Sequence, residues 1–202
     1  MKNLEAIFLD RDGVLNKDSD DYVRSVEDVN VYPFVSKVLK KLTDSGLKVF
    51  ITSNQSAISR GYFTEETNSK IFKKVISDSE KAGGKITDYY YCPHLPTDNC
   101  NCRKPRPGMF LQAAKEYKFN IKNSVYVGDS VCDYEAAKNL GIPFFLVETG
   151  YGIETAETIK REKNIEVKTW KNLKVVAEDI LHRRGTKTQS LNNGKTVDEK
   201  KI

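Results

Sequence analysis

Long apolar runs are missing from this chain: no stretch approaches the ~18–20 residues that a membrane-spanning helix needs, so an integral helical membrane protein is excluded. Signal-peptide anatomy is missing too, and the first apolar segment, Ala6-Ile7-Phe8-Leu9, reads as a strand. A cytoplasmic protein without a membrane partner is the expectation. At 202 residues the chain is short for two domains but long enough for one well-buried core. It has no internal repeat and no G-x-x-x-x-G-K-[ST] loop, which removes a P-loop kinase activity.

Strong charge on the body of the chain is also lacking. The formal net charge is +5, but residues 183–202 hold six basic residues against two acidic ones, leaving residues 1–182 close to neutral. A near-neutral body has no basic groove for a phosphate backbone, so no nucleic-acid partner is expected. The last twenty residues are rich in Thr, Asn, Gly and Gln, the composition of a disordered basic tail. Residues 1–182 are then the folded domain, expected as a monomer or small homo-oligomer.

Cysteine is sparse, with four residues: Cys92, Cys100, Cys102 and Cys132. Three fall within eleven residues and flank His94, a pattern of metal binding rather than of a disulfide framework. Three thiolates and an imidazole complete a tetrahedral zinc set with no position left for water, which makes the expected Zn²⁺ structural. Arg103 and Lys104 follow Cys102 directly, so a zinc loop over 92–102 would position Lys104. Cys132 has no clustered partner and reads as a small packing residue.

What is present is alternation. Short β-branched runs at Ala6–Leu9, 49–51, 88–91, 125–127 and Phe144–Val147 alternate with helical spacing. The helical faces are Val35/Val38/Leu39/Leu42, Ile71/Phe72/Val75/Ile76, Met109/Phe110/Ala113/Ala114/Tyr117, residues 134–140, and Leu173/Val176/Ala177/Ile180/Leu181. This order predicts an α/β fold, a doubly wound, Rossmann-like and mainly parallel sheet with helices on both faces. In such sheets ligands sit beyond the carboxyl ends of the strands. Asp10, Ser53 and Gly128-Asp129 each follow a strand, and Lys104 precedes a helix, so four polar segments converge on one edge.

Asp10-Arg11-Asp12-Gly13 places two carboxylates two residues apart after a buried strand, and Gly128-Asp129-Ser130-Val131-Cys132-Asp133 repeats the theme. Carboxylates there are costly unless a metal or hydrogen bonds hold them. The order D-x-D-G-V, then Ser53, then Lys104, then G-D-x-x-x-D resembles the four-motif signature of the haloacid dehalogenase superfamily phosphatases, over residues 4–150. That resemblance implies a phosphoric monoester hydrolase in which Asp10 is the nucleophile and Asp12 the general acid and then base. It implies catalytic Mg²⁺ on Asp10, the Asp12 carbonyl and Asp129, with Ser53 and Lys104 on the phosphoryl group and Asp133 orienting Lys104 or a metal-bound water. Where relatives usually carry Thr, Ser53 keeps the hydroxyl.

The zinc loop running into Cys102-Arg103-Lys104-Pro105 resembles two groups within that superfamily. One comprises the D-glycero-D-manno-heptose-1,7-bisphosphate 7-phosphatases, the other the histidinol-phosphate phosphatases. The short loop is like the latter; Asn54-Gln55-Ser56 with Ser59-Arg60-Gly61-Tyr62-Phe63, and Arg106-Pro107-Gly108-Met109, are like the former. The heptose group is the preferred reading, with histidinol phosphate the alternative. Neither interval between the motifs leaves the ~50 residues that a separate cap domain needs. Specificity for a small phosphorylated metabolite would then come from loops 17–28, 54–63 and 92–104. Asn54 is expected at the substrate, with Arg60 and Arg103 forming a second anion site. Two rivals remain: a non-enzymatic zinc or interaction module, and a phosphatase of nucleic-acid ends.

Overall fold

In the computed structural model, which describes residues 1, 3–19 and 21–192 with side chains as far as 185, the first strand is β1 (Ala6–Leu9). All four of its residues are buried; Ile7 and Leu9 enter the core on one face, Ala6 and Phe8 the core on the other. A parallel sheet covered on both faces needs apolar side chains on each, which is why short unbroken apolar runs form its strands. The chain continues through α1 (Val35–Asp44), β2 (Lys48–Asn54), α2 (Glu65–Glu80), β3 (Asp88–Cys92) and α3 (Gly108–Glu116). It then forms β4 (Ser124–Gly128), α4 (Val131–Leu140), β5 (Phe144–Val147), α5 (Gly152–Lys163), β6 (Thr169–Trp170) and α6 (Leu173–Asn192).

The strand order is β3-β2-β1-β4-β5-β6 and every pairing is parallel. Leu9 is in register with Ile51 on one side and Val127 on the other. From β1 the chain winds outward to β3, crosses to β4 on the far side of β1, and winds out again to β6. The connections after β1 and β4 therefore diverge, opening a crevice at the carboxyl ends of these two strands. Helices α1, α2 and α6 cover one face with Val35, Val38, Leu39, Phe72, Val75 and Val176; α3 and α4 cover the other with Met109, Phe110, Ala136 and Ala137.

Two elements are not anticipated by the hydrophobic pattern. Helix α5 buries only Gly152, Thr155 and Ile159, too narrow a face to register as a periodic stripe, and β6 is two residues long. Helix α6 runs past residue 182, so the start of the expected basic tail continues the helix as far as Asn192; residues 193–202 lie outside the described residues. Among the described residues no helix is long and apolar enough to cross a membrane.

Candidate active site

The end of β1 delivers Asp10 into the crevice, where its backbone N–H still donates to Val127 O at 3.0 Å. Across the crevice β4 ends at Gly128 and hands over Asp129, 2% exposed, whose Oδ2 accepts from Tyr151 N–H at 2.9 Å. Two glycines make that placement possible. A Cβ on Gly13 would stand 2.1 Å from Asp129 Oδ2, and one on Gly150 2.0 Å from it; both residues have positive φ, so a side chain fails there twice over.

Lys104 enters from the opposite layer and is 3% exposed. Its Nζ lies 2.9 Å from Asp10 Oδ1 and 2.8 Å from Asp133 Oδ1, and donates to Thr52 O at 3.0 Å and Tyr126 Oη at 2.9 Å. Four acceptors surround an ammonium with three N–H bonds, so one can be exchanged for a ligand oxygen. Asp133 is fixed from several sides. It accepts from Tyr126 Oη at 2.6 Å and Ser130 Oγ at 2.6 Å, and it forms the capping box of α4 with Ser130. Sequence reading places Asp133 near Lys104 but misses Tyr126, which joins the two; a tyrosine inside an apolar strand carries no sign that its hydroxyl faces a lysine.

Asp12 has partners of its own. Its carboxylate accepts from Arg11 Nε at 3.0 Å and Nη2 at 2.7 Å, from Asn16 Nδ2 at 2.8 Å and from Gln55 Nε2 at 3.1 Å. Burial pushes the Asp12 carboxyl up, but the charge and hydrogen bonds of Arg11, with Asn16 and Gln55, outweigh it and hold it below the usual carboxylate range. Gln55 also donates to Ser53 Oγ at 2.8 Å, which fills the acceptor side of that hydroxyl and leaves its proton for a ligand. Arg11, Asn16 and Gln55 are the site residues the motifs do not single out.

Asn54 is bound to the backbone of Lys104. Its Oδ1 accepts from Lys104 N–H at 3.0 Å while its Nδ2 donates to Lys104 O at 3.2 Å. Both ends of the carboxamide thus hold the lysine backbone. The two arginines expected at a second anion site lie on different loops. Arg60 is exposed on the loop after β2, whereas Arg103 and Arg106 line a cavity of about 300 Å³ together with Lys104, Leu95 and Asn99. Arg103 Nη1 donates to His94 O at 3.2 Å, and Arg106 Nη1 to Cys100 O at 2.5 Å, so both are braced on the cysteine loop.

In that loop Cys92 Sγ stands 3.6 Å from Cys100 Sγ, 3.3 Å from Cys102 Sγ and 3.5 Å from His94 Nδ1. His94 Nδ1 is 3.2 Å from Cys102 Sγ. Ligand atoms around a tetrahedral zinc, at ~2.3 Å for sulfur, stand roughly 3.5–3.8 Å apart. The four groups therefore fit such an ion with small adjustments. Cys132 lies apart, half-buried, its Sγ 3.1 Å from Ser130 Oγ.

A second metal-binding set lies in the crevice itself: carboxylate oxygens of Asp10, Asp129 and Asp133 lie within 4.8 Å of one another. Burial, with the charges of Asp133 and Asp12 added, pushes Asp10 up to about 8 although Lys104 opposes it. Burial and the charges of Asp10 and Asp133 push Asp129 up to about 9. One lysine does not neutralise this group, and hard oxygen donors around a charge deficit suit Mg²⁺. Asp133 is committed through both oxygens to Lys104, Tyr126 and Ser130, whereas Asp10 meets Lys104 through Oδ1 alone, so Asp10 Oδ2 and Asp129 are the oxygens placed to hold an ion.

The haloacid dehalogenase-like hydrolase family matches residues 8–141. Over 146 residues the chain is 41% identical to a probable D-glycero-D-manno-heptose-1,7-bisphosphate 7-phosphatase of Thermoplasma volcanium, covering 71% of this chain and 99% of that protein. It is 40% identical over 159 residues to the D-glycero-alpha-D-manno-heptose-1,7-bisphosphate 7-phosphatase of Photorhabdus laumondii, with 73% and 85% covered. The solved D,D-heptose 1,7-bisphosphate phosphatase of B. bronchiseptica, complexed with magnesium and phosphate, superposes with a TM-score of 0.82 at 34% identity, covering 89% of this chain and 99% of that one. The four motifs that meet at the carboxyl edge of this sheet, and relatives similar along most of their own length, agree: the chain belongs to the haloacid dehalogenase-like hydrolases and is a phosphoric monoester hydrolase closely related to the heptose-bisphosphate phosphatases.

Proposed function

We propose that this enzyme hydrolyses D-glycero-D-manno-heptose 1,7-bisphosphate to the 1-phosphate, with Mg²⁺ at the crevice and structural Zn²⁺ on Cys92, His94, Cys100 and Cys102. The observation that carries the reading is the buried cluster of Asp10, Asp129 and Lys104 beside an arginine-lined cavity, in a chain whose named relatives bear that activity. The chemistry runs in two halves. Asp10 attacks phosphorus, the bond to the sugar oxygen breaks, and Asp12, whose carboxyl takes up a proton as the negatively charged phosphate enters beside it, delivers that proton to the leaving alkoxide. Water then attacks the aspartyl-phosphate, gives its proton to Asp12 and releases inorganic phosphate and the Asp10 carboxylate.

Lys104 and the Ser53 hydroxyl bind the transferring phosphoryl oxygens, Lys104 exchanging one of its four acceptors to do so. Asn54 and Asp133 keep Lys104 at the right height. Mg²⁺, when bound by Asp10, Asp129 and the Asp12 carbonyl, offsets the repulsion between nucleophile and phosphate. The non-reacting phosphate is read by Arg103 and Arg106 across the cavity. Among the described residues no cap domain covers the site, so specificity rests on loops 17–28, 54–63 and 92–104.

The alternative substrate, histidinol phosphate, has one phosphate and would leave the arginine cavity unfilled. The test is kcat/KM for the heptose bisphosphate and for histidinol phosphate, side by side with Mg²⁺. The bisphosphate is expected to win clearly, and Asp10→Asn to abolish both activities. A win for histidinol phosphate reverses the substrate assignment; turnover by Asp10→Asn above about a hundredth of normal removes Asp10 as nucleophile.

A further inference from the structure

Arg11 has the largest side chain among the fully buried residues, at 1% exposure. A guanidinium stays charged at any working pH, and burying it is costly unless its partners are well placed. Core filling does not explain it, because an apolar side chain of similar volume would fill the space without that cost. Its side-chain hydrogen bonds go to one residue, Asp12, through a fork: Nε at 3.0 Å from Oδ1 and Nη2 at 2.7 Å from Oδ2. Nη1 has no hydrogen-bond partner among the described residues, so the group is not placed for its own satisfaction.

Below the fork, the guanidinium carbon lies 5.0 Å from the centroid of the Phe72 ring, on the buried face of α2. Phe72 in turn stacks on Tyr89 of β3 at 4.6 Å and 17°. The backbone closes the same unit: Arg11 O accepts from Leu15 N at 2.9 Å and Asn16 N at 3.1 Å, and Asn16 reaches back to Asp12. A planar cation set over a ring and forked onto a carboxylate is held in its orientation, and so is the carboxylate.

From this we infer that Arg11 is a positioning residue for proton transfer: anchored on Phe72, it holds the Asp12 carboxylate in the one orientation from which it reaches the leaving oxygen. The inference rests on the reading of Asp12 as acid and base. With loops as the only cover of the site among the described residues, the orientation of Asp12 has to be built into the β1 loop, and α2 supplies the anchor. Arg11→Met keeps the length of the side chain and loses the fork; Phe72→Leu keeps the fork and loses the anchor.

The experiment is single-turnover kinetics of the Mg²⁺-loaded enzyme with two substrates. A sugar phosphate has a poor leaving group that needs the proton, whereas p-nitrophenyl phosphate releases a stable phenolate without it. Arg11→Met should slow the first turnover of the sugar phosphate by about tenfold to a hundredfold, part of the ~10²–10⁴ that a placed acid supplies. First-turnover release of nitrophenolate should stay within about twofold. Phe72→Leu should show the same selectivity at a few-fold, and it carries the test if Arg11→Met does not fold. Equal losses on both substrates, or no loss on either, would overturn the inference. Asp12→Asn separates the two levels: it should show the largest selectivity of all, and if it shows none the acid–base reading fails and the positioning role with it. A selective Asp12→Asn beside unselective Arg11→Met and Phe72→Leu leaves that reading intact and removes only Arg11.

Discussion

Tyr126 shows how much of this site is decided by single atoms. Its hydroxyl accepts from Lys104 at 2.9 Å and donates to Asp133 at 2.6 Å, inside a layer where each is fully buried. Tyr126→Phe leaves both charges one partner short, at a cost of about 1–3 kcal/mol for buried groups. A lower midpoint in urea unfolding with an unchanged slope is the expected result, together with a several-fold lower kcat; an unaltered midpoint would show that Lys104 and Asp133 are satisfied without it. Asp10 and Asp129 carry a second prediction. Both are pushed up, to about 8 and about 9, chiefly by burial. In the unfolded chain such groups titrate near ~4, so the folded metal-free protein binds their protons more tightly. Their stabilising contribution is complete below about pH 4 and is lost as the pH rises through about 8–9. Mg²⁺ displaces those protons, so the gain in Tm on adding it to chelator-treated protein should be larger at about pH 8.5 than at about pH 6. A gain independent of pH in scanning calorimetry would contradict this.

Among the elements, the loops after the strands set the geometry and the strands set where the loops begin. The loop after β5 brings Gly150 against Asp129, with φ +61° and no room for a Cβ. Gly150→Ala should move Asp129 by the order of an ångström, and displacements of that size cost about a hundredfold in rate. kcat/KM is the measurement, with circular dichroism to show that the fold persists; near-normal turnover would mean that the loop yields instead. The strands themselves are legible from short apolar runs, and α1 from Val35, Val38, Leu39 and Leu42 at helical spacing. Helix α5 is not legible, because Thr155 is polar and Gly152 has no side chain, yet both are buried, Gly152 against the end of β5.

On the scale of the whole molecule, the division of labour between the near-neutral body and an arginine-lined cavity argues for a small substrate with two phosphate groups. Arg103 and Arg106 are held by carbonyls of the cysteine loop, next to Lys104. A charge-assisted contact to a second phosphate is worth roughly 1.5–3 kcal/mol, so a preference of about tenfold or more for a bisphosphate over its monophosphate is expected. Arg103→Ala should erase most of that preference in kcat/KM and leave p-nitrophenyl phosphate much less affected. If Arg60→Ala erases it instead, the second phosphate binds over the loop after β2 and the cavity has another use.

The sequence by itself determined the alternation of strands and helices, the carboxylates at the strand ends and the Cys92-His94-Cys100-Cys102 set. Each is a local pattern: a period, a chain reversal, or ligands separated by a few residues. Tertiary structure alone decided the rest. Placing β1 between β2 and β4 brings Asp10 beside Asp129, and carries Asn54 onto the backbone of Lys104. It sets Arg103 and Arg106 along one cavity, and turns Tyr126 toward Lys104 and Arg11 toward Phe72. Such contacts depend on strand register and on the path of loops, where a shift of one residue sends every side chain to the opposite face. Periodicity along the chain carries no record of which distant residue will lie across from it.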